Sequence, residues 1–370
     1  MAIVSKLGIC ALSGVIFGVA LEKGRVFEPV LIREQMIFGK FVMLKMFLSA
    51  VTTGLLSLSV LSMLPATKDR FDRASNAFYR CLQGKGLVAS ALGGGILGMG
   101  MTLSGACPGM VLAQVGAGTT HAVYTLFGAL TGTFLYAVIH PIVRPMLKSE
   151  SVPPMNPYKD SPLFAMSLPL VAMFGMIVFV FFFFFFFFFF FAVELLIPWT
   201  REVKVKAASS FFQQRAWPPY VSGGLIGFLQ VPIVLAVEDT LGGSSAYATA
   251  VAQLMVGPLE NLAPYLKNFK RGVENWWQVF YVGGAVLGGY ISAIASNTFG
   301  TTKGVPIFHA FIGGALMTIG ARIAGGCTSG HGISGMGLMS IMSLIATGSM
   351  FVGAMGTAVV MNSAGILAIR

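Results

Sequence analysis

The chain has 370 residues, of which 56% are hydrophobic and only 10% are charged, with a mean hydropathy of +0.82. A soluble protein carries about 25% charged residues, so the composition excludes a soluble domain and predicts an all-α, multi-pass protein of the lipid bilayer, in the cell membrane. Four cysteines without a CxxC motif exclude a disulfide-rich scaffold and a zinc ribbon. We expect neither a metal nor another cofactor. The net charge of +11 is scattered through short loops, which fits loops held on the cytoplasmic side and argues against nucleic-acid binding.

A helix that crosses the bilayer needs about 20 mostly apolar residues. In chain order, the apolar runs predict crossings at 46–67, two within 86–143, and others at 163–193, 217–237, 277–299, 304–321 and within 323–369. The segments 7–21 and 240–259 are shorter or contain polar residues, and they are predicted half-crossings. The total is about nine transmembrane helices plus re-entrant half-helices.

The densest basic cluster lies between the first two long crossings. It comprises Lys68, Arg70, Arg73, Arg80 and Lys85. Because Lys and Arg are enriched in cytoplasmic loops of membrane proteins, we predict a cytoplasmic loop here.

Residues 86–143 form a 58-residue run without Asp, Glu, Lys or Arg. Two crossings leave a surplus of about 18 residues, and the glycine-rich stretch "SGACPGMVLAQVGAGTTH" at 104–121 fits that surplus. Proline and glycine make it a poor continuous helix. Lipid cannot satisfy open backbone groups, so we predict a broken helix or re-entrant loop buried in protein or lining a cavity.

Eleven consecutive phenylalanines occupy residues 181–191. We predict that they belong to a lipid-facing helix that joins two halves of the protein, where any apolar side chain would serve. The predicted organisation is a first membrane repeat at 1–162, a Phe-rich connecting helix and polar linker at 163–216, and a second membrane repeat at 217–370.

The second glycine-rich break is "AGGCTSGHGISGMG" at 324–337, inside an uncharged run of 47 residues at 323–369. A shift of 220 residues (327 − 107) places Gly105 and Cys107 on Gly325 and Cys327, and a shift of 209 (222 − 13) aligns "SGVIFG" at 13–18 with "SGGLIG" at 222–227. These matches predict a duplication. Gly98 has Thr318 as its counterpart, so we expect Gly98 to tolerate a side chain better than the loop glycines.

Duplicated halves with broken helices in matching positions are typical of transporters, whose ligand site lies near the bilayer midplane. We therefore predict that Cys107 and Cys327 face each other across a shared pathway. Loop N–H groups and helix dipoles would replace the hydration of an anion. A neutral thiol would add a weak hydrogen-bond donor that binds the anion weakly enough to release it. The candidate pathway residues are Gly105, Cys107, Pro108, Gly109, Gly326, Cys327, Thr328, Ser329, Gly330 and His331.

Other polar residues leave alternatives open. His331 would bind the ligand, set the protonation of the thiol, or cap the next helix, while Thr328 and Ser329 would donate hydroxyls or act as N-caps. Arg322 is a charge inside a predicted crossing, and it is either functional or paired with a carbonyl or snorkelling. Glu238 and Asp239 are loop residues or line an entrance. Cys10 and Cys81 lack a glycine-rich context and are expected to be small buried hydrophobic residues.

The sequence resembles the YeeE/YedE family of sulphur-transport membrane proteins. The resemblance rests on "SGACPG" at 104–109 and "ARIAGGCTSGHGISG" at 321–335, with support from "GVIFGVALEKGRVFEP" at 14–29 and "GGLIGFLQVPIVLAVEDTLGGSS" at 223–245. It implies a helical membrane fold with re-entrant loops meeting at the centre, and uptake of thiosulfate or a related sulfur compound. It also implies that thiols along a central path contact the substrate in turn, with Cys107 and Cys327 at two of those positions. A soluble sulfur-carrier protein is a candidate partner.

One position departs from the family pattern. Some relatives carry a further cysteine just after "GR", where this chain has Phe27 in "GRVFEP". Sulfite, sulfide, persulfides and selenium compounds therefore stand beside thiosulfate as candidate substrates. A transporter rather than an enzyme is predicted, and the two alternatives are a passive anion channel and a membrane thiol oxidoreductase that uses Cys107 and Cys327.

Overall fold

The structure is a computed structural model that describes residues 2–147, 181, 184–189, 191–203, 210–257 and 259–368. These residues form helices and connecting loops, without a β-strand. Eight helical spans in this part of the chain are long and apolar enough to cross a membrane. The all-α, polytopic fold class is confirmed. The predicted crossing at 163–193 lies largely outside the described residues.

The first half contains α1 Ile3–Lys23, α2 Pro29–Met36, α3 Val42–Met63, α4 Pro65–Leu82, α5 Leu87–Ser104, α6 Met110–Gly116 and α7 Ala122–Leu147. The second half contains α8 Pro219–Phe228, α9 Gln230–Val237, α10 Ser244–Leu254, α11 Val273–Ala295, α12 Ile307–Ala324, the π-helix Gly330–Gly335 and α13 Ile341–Ser363. Short helical turns lie at Trp199–Glu202 and Leu259–Leu262.

Two local predictions need correction. The segment predicted as a half-crossing at 7–21 is part of α1, which at 21 residues is long enough for a full crossing. The predicted basic loop after α3 is largely the helix α4, whose apolar side chains pack in a small core with Phe71, Phe78 and Leu82 while its charges face outward. The predicted crossing at 217–237 is confirmed as a candidate span over Pro219–Val237, within which α8 and α9 are separated at Leu229.

Glycines allow the central helices to approach closely. On α5 and α12, a Cβ on Gly93 would lie 2.8 Å from the Gly320 carbonyl oxygen, and one on Gly320 would lie 2.6 Å from the Gly93 carbonyl oxygen. Gly100 and Gly313 face each other in the same reciprocal way, at 2.6 and 2.9 Å. Small residues that bring backbones together in this manner are typical of helix packing in membranes.

Gly98 is also a packing residue, contrary to expectation. A Cβ there would lie 2.0 Å from the Met350 carbonyl oxygen of α13. Because the matching position in the other half is Thr318, a side chain was predicted to be tolerated at Gly98. Gly98 and Thr318 have different neighbours, however, since α5 packs against both α12 and α13. Substitution of Gly98 would push α13 away from α5.

The Phe-rich segment is only partly described. Seven of the eight described phenylalanines in the run are exposed, as predicted for a lipid-facing surface: Phe181, Phe184, Phe185, Phe187, Phe188, Phe189 and Phe191. Phe186 differs, because it is 8% exposed and packs against Leu48 and Val51 of α3. Farther along, Glu194 and Glu202 pair with the buried Lys45 of α3 at 2.9 and 2.8 Å. The described part of the linker is therefore attached to α3.

Candidate functional site

The two glycine-rich breaks share one backbone geometry. Gly105 ends α5 and Gly325 ends α12, and both adopt the left-handed conformation, at φ of 60° and 91°. In each loop the next residue, Ala106 or Gly326, donates its N–H to the carbonyl five residues earlier, as in a Schellman-type helix end. In each loop the cysteine carbonyl accepts from the amide four residues later, and these amides belong to Val111 and His331. The 220-residue offset thus relates the same hydrogen bonds in the two loops. Glycine is the residue that adopts the left-handed conformation at the least cost.

Cys107 lies in the first loop, between α5 and α6. Its side chain is 8% exposed and lines a cavity of about 60 Å³. The backbone amides of Gly109 and Met110 lie near its sulfur. The Tyr247 hydroxyl donates a 2.6 Å hydrogen bond to the Pro108 carbonyl and so connects α10 to this loop.

Cys327 directly precedes the helical segment that contains the π-helix. Its side chain is 1% exposed, and its sulfur lies 3.2 Å from the Ser329 hydroxyl. The backbone amides of Gly330 and Gly243, with the Ser244 hydroxyl, also lie near this sulfur. The thiol is therefore surrounded by donors, an arrangement that favours negative charge at this point.

Two of those donors come from the start of α10. Gly243 precedes this 11-residue helix, and Ser244 is its first residue. The positive end of a helix dipole and its free N–H groups make such a start favourable for an anion. Sequence reasoning treated 240–259 only as a half-crossing and missed this role. The "LGGSS" that precedes an apolar helix was the available signal, since glycine followed by serine is typical of a helix N-terminus.

The cavity beside Cys107 has an unusual lining. Thr328 and Ser329 reach it from the second loop, and Phe17 and Phe47 supply aromatic rings. Thioethers dominate the remainder of the wall, from Met36, Met43, Met46, Met101, Met110 and Met350. A water molecule occupies about 10–15 Å³ on this measure, so the space holds several waters or one small anion. Sequence reasoning missed the methionines, because apolar residues at helical spacing give no sign of which face they occupy.

The remaining candidate residues of the second loop have defined contacts. Thr328 lies 3.6 Å from the Met101 sulfur. His331 is fully buried, and its Nδ1 shares a 3.0 Å hydrogen bond with the Ser343 hydroxyl in the first turn of α13. Ser340 caps that helix, so capping by His331 is not needed. A Cβ on Gly326 would lie 2.9 Å from His331 Nε2, so Gly326 is required by the imidazole rather than by a positive φ.

Three cations lie near the two loops. Arg322 is buried and donates to the Ser244 and Ser245 hydroxyls. Pairing with a carbonyl and snorkelling were the predicted structural alternatives, and these hydrogen bonds are neither. Lys85 donates to the Arg322 carbonyl at 2.7 Å. The buried Arg33 donates to the Thr102 and Leu103 carbonyls at the end of α5. Positive charges at helix C-termini offset the negative ends of the dipoles, so these cations reduce the repulsion of an anion in the loops.

The other flagged residues lie elsewhere. Cys10 is buried as predicted, but Cys81 is exposed on α4, and all four cysteines are free. Glu238 pairs with Arg73 at 2.7 Å, and Asp239 accepts a 3.2 Å hydrogen bond from the Trp277 indole, so both stabilise the loop after α9. Phe27 is buried with the Arg25 guanidinium 4.8 Å from its ring. Among the described residues, no group of three or more His, Cys, Asp or Glu side chains could hold a metal ion.

Comparison with known proteins adds a family to this geometry. The chain is 27% identical over 259 residues to the thiosulfate transporter TsuA of Escherichia coli (strain K12), a match that covers 66% of this chain and 66% of that relative. Two probable transporters of Xylella fastidiosa are each 28% identical, over 31% of this chain and 86% of the relative in strain 9a5c, and over 40% and 95% in strain Temecula1 / ATCC 700964. The chain is an integral, multi-pass membrane protein of a transport class rather than an enzyme. Residues 23–356 match the sequence model for sulphur transport, so the chain belongs to the sulphur-transport family.

Proposed function

We propose that the protein takes up thiosulfate, or a closely related small sulfur-containing anion, along a central pathway lined by the thiols of Cys107 and Cys327. The observation that carries this proposal is the matched geometry of the two loops. Each places its cysteine two residues after a left-handed glycine, with backbone amides near the sulfur. Amide donors suit an oxyanion, and a polarizable thiol suits the terminal sulfur of thiosulfate.

We propose further that the two loops belong to the repeated halves 1–162 and 217–370, joined through 163–216. Reciprocal packing of Gly93 with Gly320 and of Gly100 with Gly313 supports a pseudo-two-fold relationship between α5 and α12. An anion between the loops would then meet two similar sets of donors. Binding by many weak donors favours release as well as capture, since no single fixed cation contacts the anion directly.

Substrate identity is tested by uptake of radiolabelled thiosulfate into cells that lack other sulfur uptake systems. We expect accumulation above cells with an empty vector, and competition by unlabelled thiosulfate that is stronger than competition by sulfite, sulfide or a selenium compound. Equal uptake with and without the protein would reject thiosulfate. Rapid flux that never exceeds equilibrium and needs no thiol would favour the passive channel.

The acceptor of the cargo is a separate part of the proposal. A soluble sulfur-carrier protein would remove the anion on the cytoplasmic side. Its contribution is tested by uptake into proteoliposomes that contain only the purified transporter, where retained activity would show that no carrier is required.

A further inference from the structure

One buried tyrosine packs against the wall of the cavity that Cys107 lines. Tyr281 belongs to α11 and is 2% exposed. Its ring packs against Phe17 and Trp277, with centroids 5.4 and 6.1 Å away. Phe17 lines the cavity next to Cys107, so Tyr281 stands directly behind the wall of that cavity.

The hydroxyl of Tyr281 has no hydrogen-bond partner among the described residues. On the Cys107 side, the Tyr281 ring packs against Phe17 of the cavity wall. On the Cys327 side, Tyr281 Cε1 lies 4.0 Å from the position of a Cβ on Gly243, whose amide is one of the donors around that sulfur. The Tyr281 side chain therefore contacts both the wall of the Cys107 cavity and the residue that precedes α10.

A buried hydroxyl without a partner is costly. No hydrogen bond replaces the lost hydration, and phenylalanine would avoid that cost at nearly the same volume. The neighbouring Tyr247 shows the usual solution, because its hydroxyl donates to the Pro108 carbonyl. An unsatisfied polar group in a native protein calls for an explanation, and a transient ligand supplies one.

We propose that Tyr281 is a substrate-binding residue whose hydroxyl donates a hydrogen bond to an oxygen atom of a sulfur oxyanion held between Cys107 and Cys327. This inference rests on the proposed function and extends it. Thiols are weak donors, whereas a phenol is a strong one. Tyr281 would therefore bind the oxygen end of the anion while a cysteine contacts its sulfur end, which selects for an anion that carries both.

The test compares purified Tyr281→Phe with the unmutated protein and with Tyr290→Phe. Tyr290 lies on the same helix but is 47% exposed, so its substitution is a matched control. The midpoint of thermal unfolding is measured against thiosulfate concentration, which yields an apparent Kd because a ligand stabilises the state it binds. Hydrogen bonds to charged groups predict that Tyr281→Phe weakens thiosulfate binding by about tenfold or more, whereas Tyr290→Phe leaves the Kd unchanged.

The ligand-free midpoint separates binding from structure. Tyr281→Phe should unfold at the same temperature as the unmutated protein, or higher, since it removes an unsatisfied group without leaving a cavity. An unchanged Kd for Tyr281→Phe would overturn the inference while leaving the proposed function intact. A lowered ligand-free midpoint together with weaker binding would also overturn it, because it would show a structural role. Absence of any stabilisation of the unmutated protein by thiosulfate would reject the proposed function itself.

Discussion

The ammonium group of Lys85 donates a 2.7 Å hydrogen bond to the carbonyl oxygen of Arg322, in the last turn of α12. Arg33 donates to the carbonyl of Thr102, which the 220-residue offset places on Arg322. Each helix that leads into a cysteine loop therefore ends against a cation from another segment. Without those cations, the negative ends of both dipoles would oppose an anion in the loops.

Lys85 makes this arrangement dependent on pH. Desolvation, and after it the nearby Arg322 guanidinium, lower the pKa of Lys85 to about 7, although the Cys81 thiol acts in the opposite direction. Lysine is a cation below its pKa, so its charge is present in acid and is lost as the pH rises through about 7. We expect uptake at low thiosulfate concentration to fall several-fold between about pH 6 and about pH 8, where the charged fraction falls roughly tenfold.

Lys85→Arg is the control for that prediction, because a guanidinium keeps its charge across this range. Uptake by Lys85→Arg should change little between the two pH values, measured as initial rates per inserted protein. The same fall in both proteins would assign the pH dependence to another group.

The glycine beside Cys327 is expected to be essential because of its neighbour. A valine at Gly326 would collide with the imidazole of His331 and displace it from Ser343. This displacement would break the contact between the loop and α13. We expect Gly326→Val to lower uptake at least about tenfold, as is common when positioning in a site is disturbed. The measurement is initial uptake normalised to membrane-inserted protein.

Gly348 is the matched control for Gly326. It lies within α13, and a Cβ there would meet no atom within 4 Å. Gly348→Val should therefore transport normally. Normal uptake by both variants would mean that the position of His331 is unimportant for transport.

Two phenylalanines of the Phe-rich segment, Phe186 and Phe188, distinguish packing on protein from exposure to lipid. Phe186 is 8% exposed against α3, whereas Phe188 is 72% exposed. Deleting a buried phenyl ring costs about 3–5 kcal/mol in a protein core, so we expect Phe186→Ala to lower the midpoint of thermal unfolding in detergent by roughly 5–10 °C. Phe188→Ala should lower it far less, and equal shifts would show that Phe186 makes no specific contact.

Much of the fold could be predicted because membrane insertion imposes a strong pattern. Length and charge identify α3, α5 and α12, and glycines next to a cysteine identify both breaks, with Pro108 as a further sign in the first. Whether the breaks are re-entrant within the bilayer stays a prediction. Neighbours across the fold could not be predicted, since apolar sequence does not specify which face packs on protein. For this reason Gly98 was expected to be tolerant, and Cys81 was expected to be buried.

The residues of the candidate site could likewise be predicted only in part. Cys107, Cys327 and the loop glycines stand out by residue type, because thiols and glycines are rarely combined without a constraint on the backbone. Tyr281 and Ser244 do not stand out, since a tyrosine or a serine in a helix is common and only tertiary contacts bring Tyr281 to the cavity wall and Ser244 near Cys327. Sequence alone therefore locates the centre of the candidate site but not its surrounding donors.

The central claim is that both loop thiols act in transport, and uptake of radiolabelled thiosulfate by single cysteine variants tests it most directly. Uptake is normalised to membrane-inserted protein for Cys107→Ala, Cys327→Ala and, as the control, Cys81→Ala on the outer face of α4. We expect uptake near the empty-vector background for Cys107→Ala and Cys327→Ala, and normal uptake for Cys81→Ala. Normal uptake by Cys327→Ala or Cys107→Ala in well-inserted protein would contradict the thiol-lined pathway.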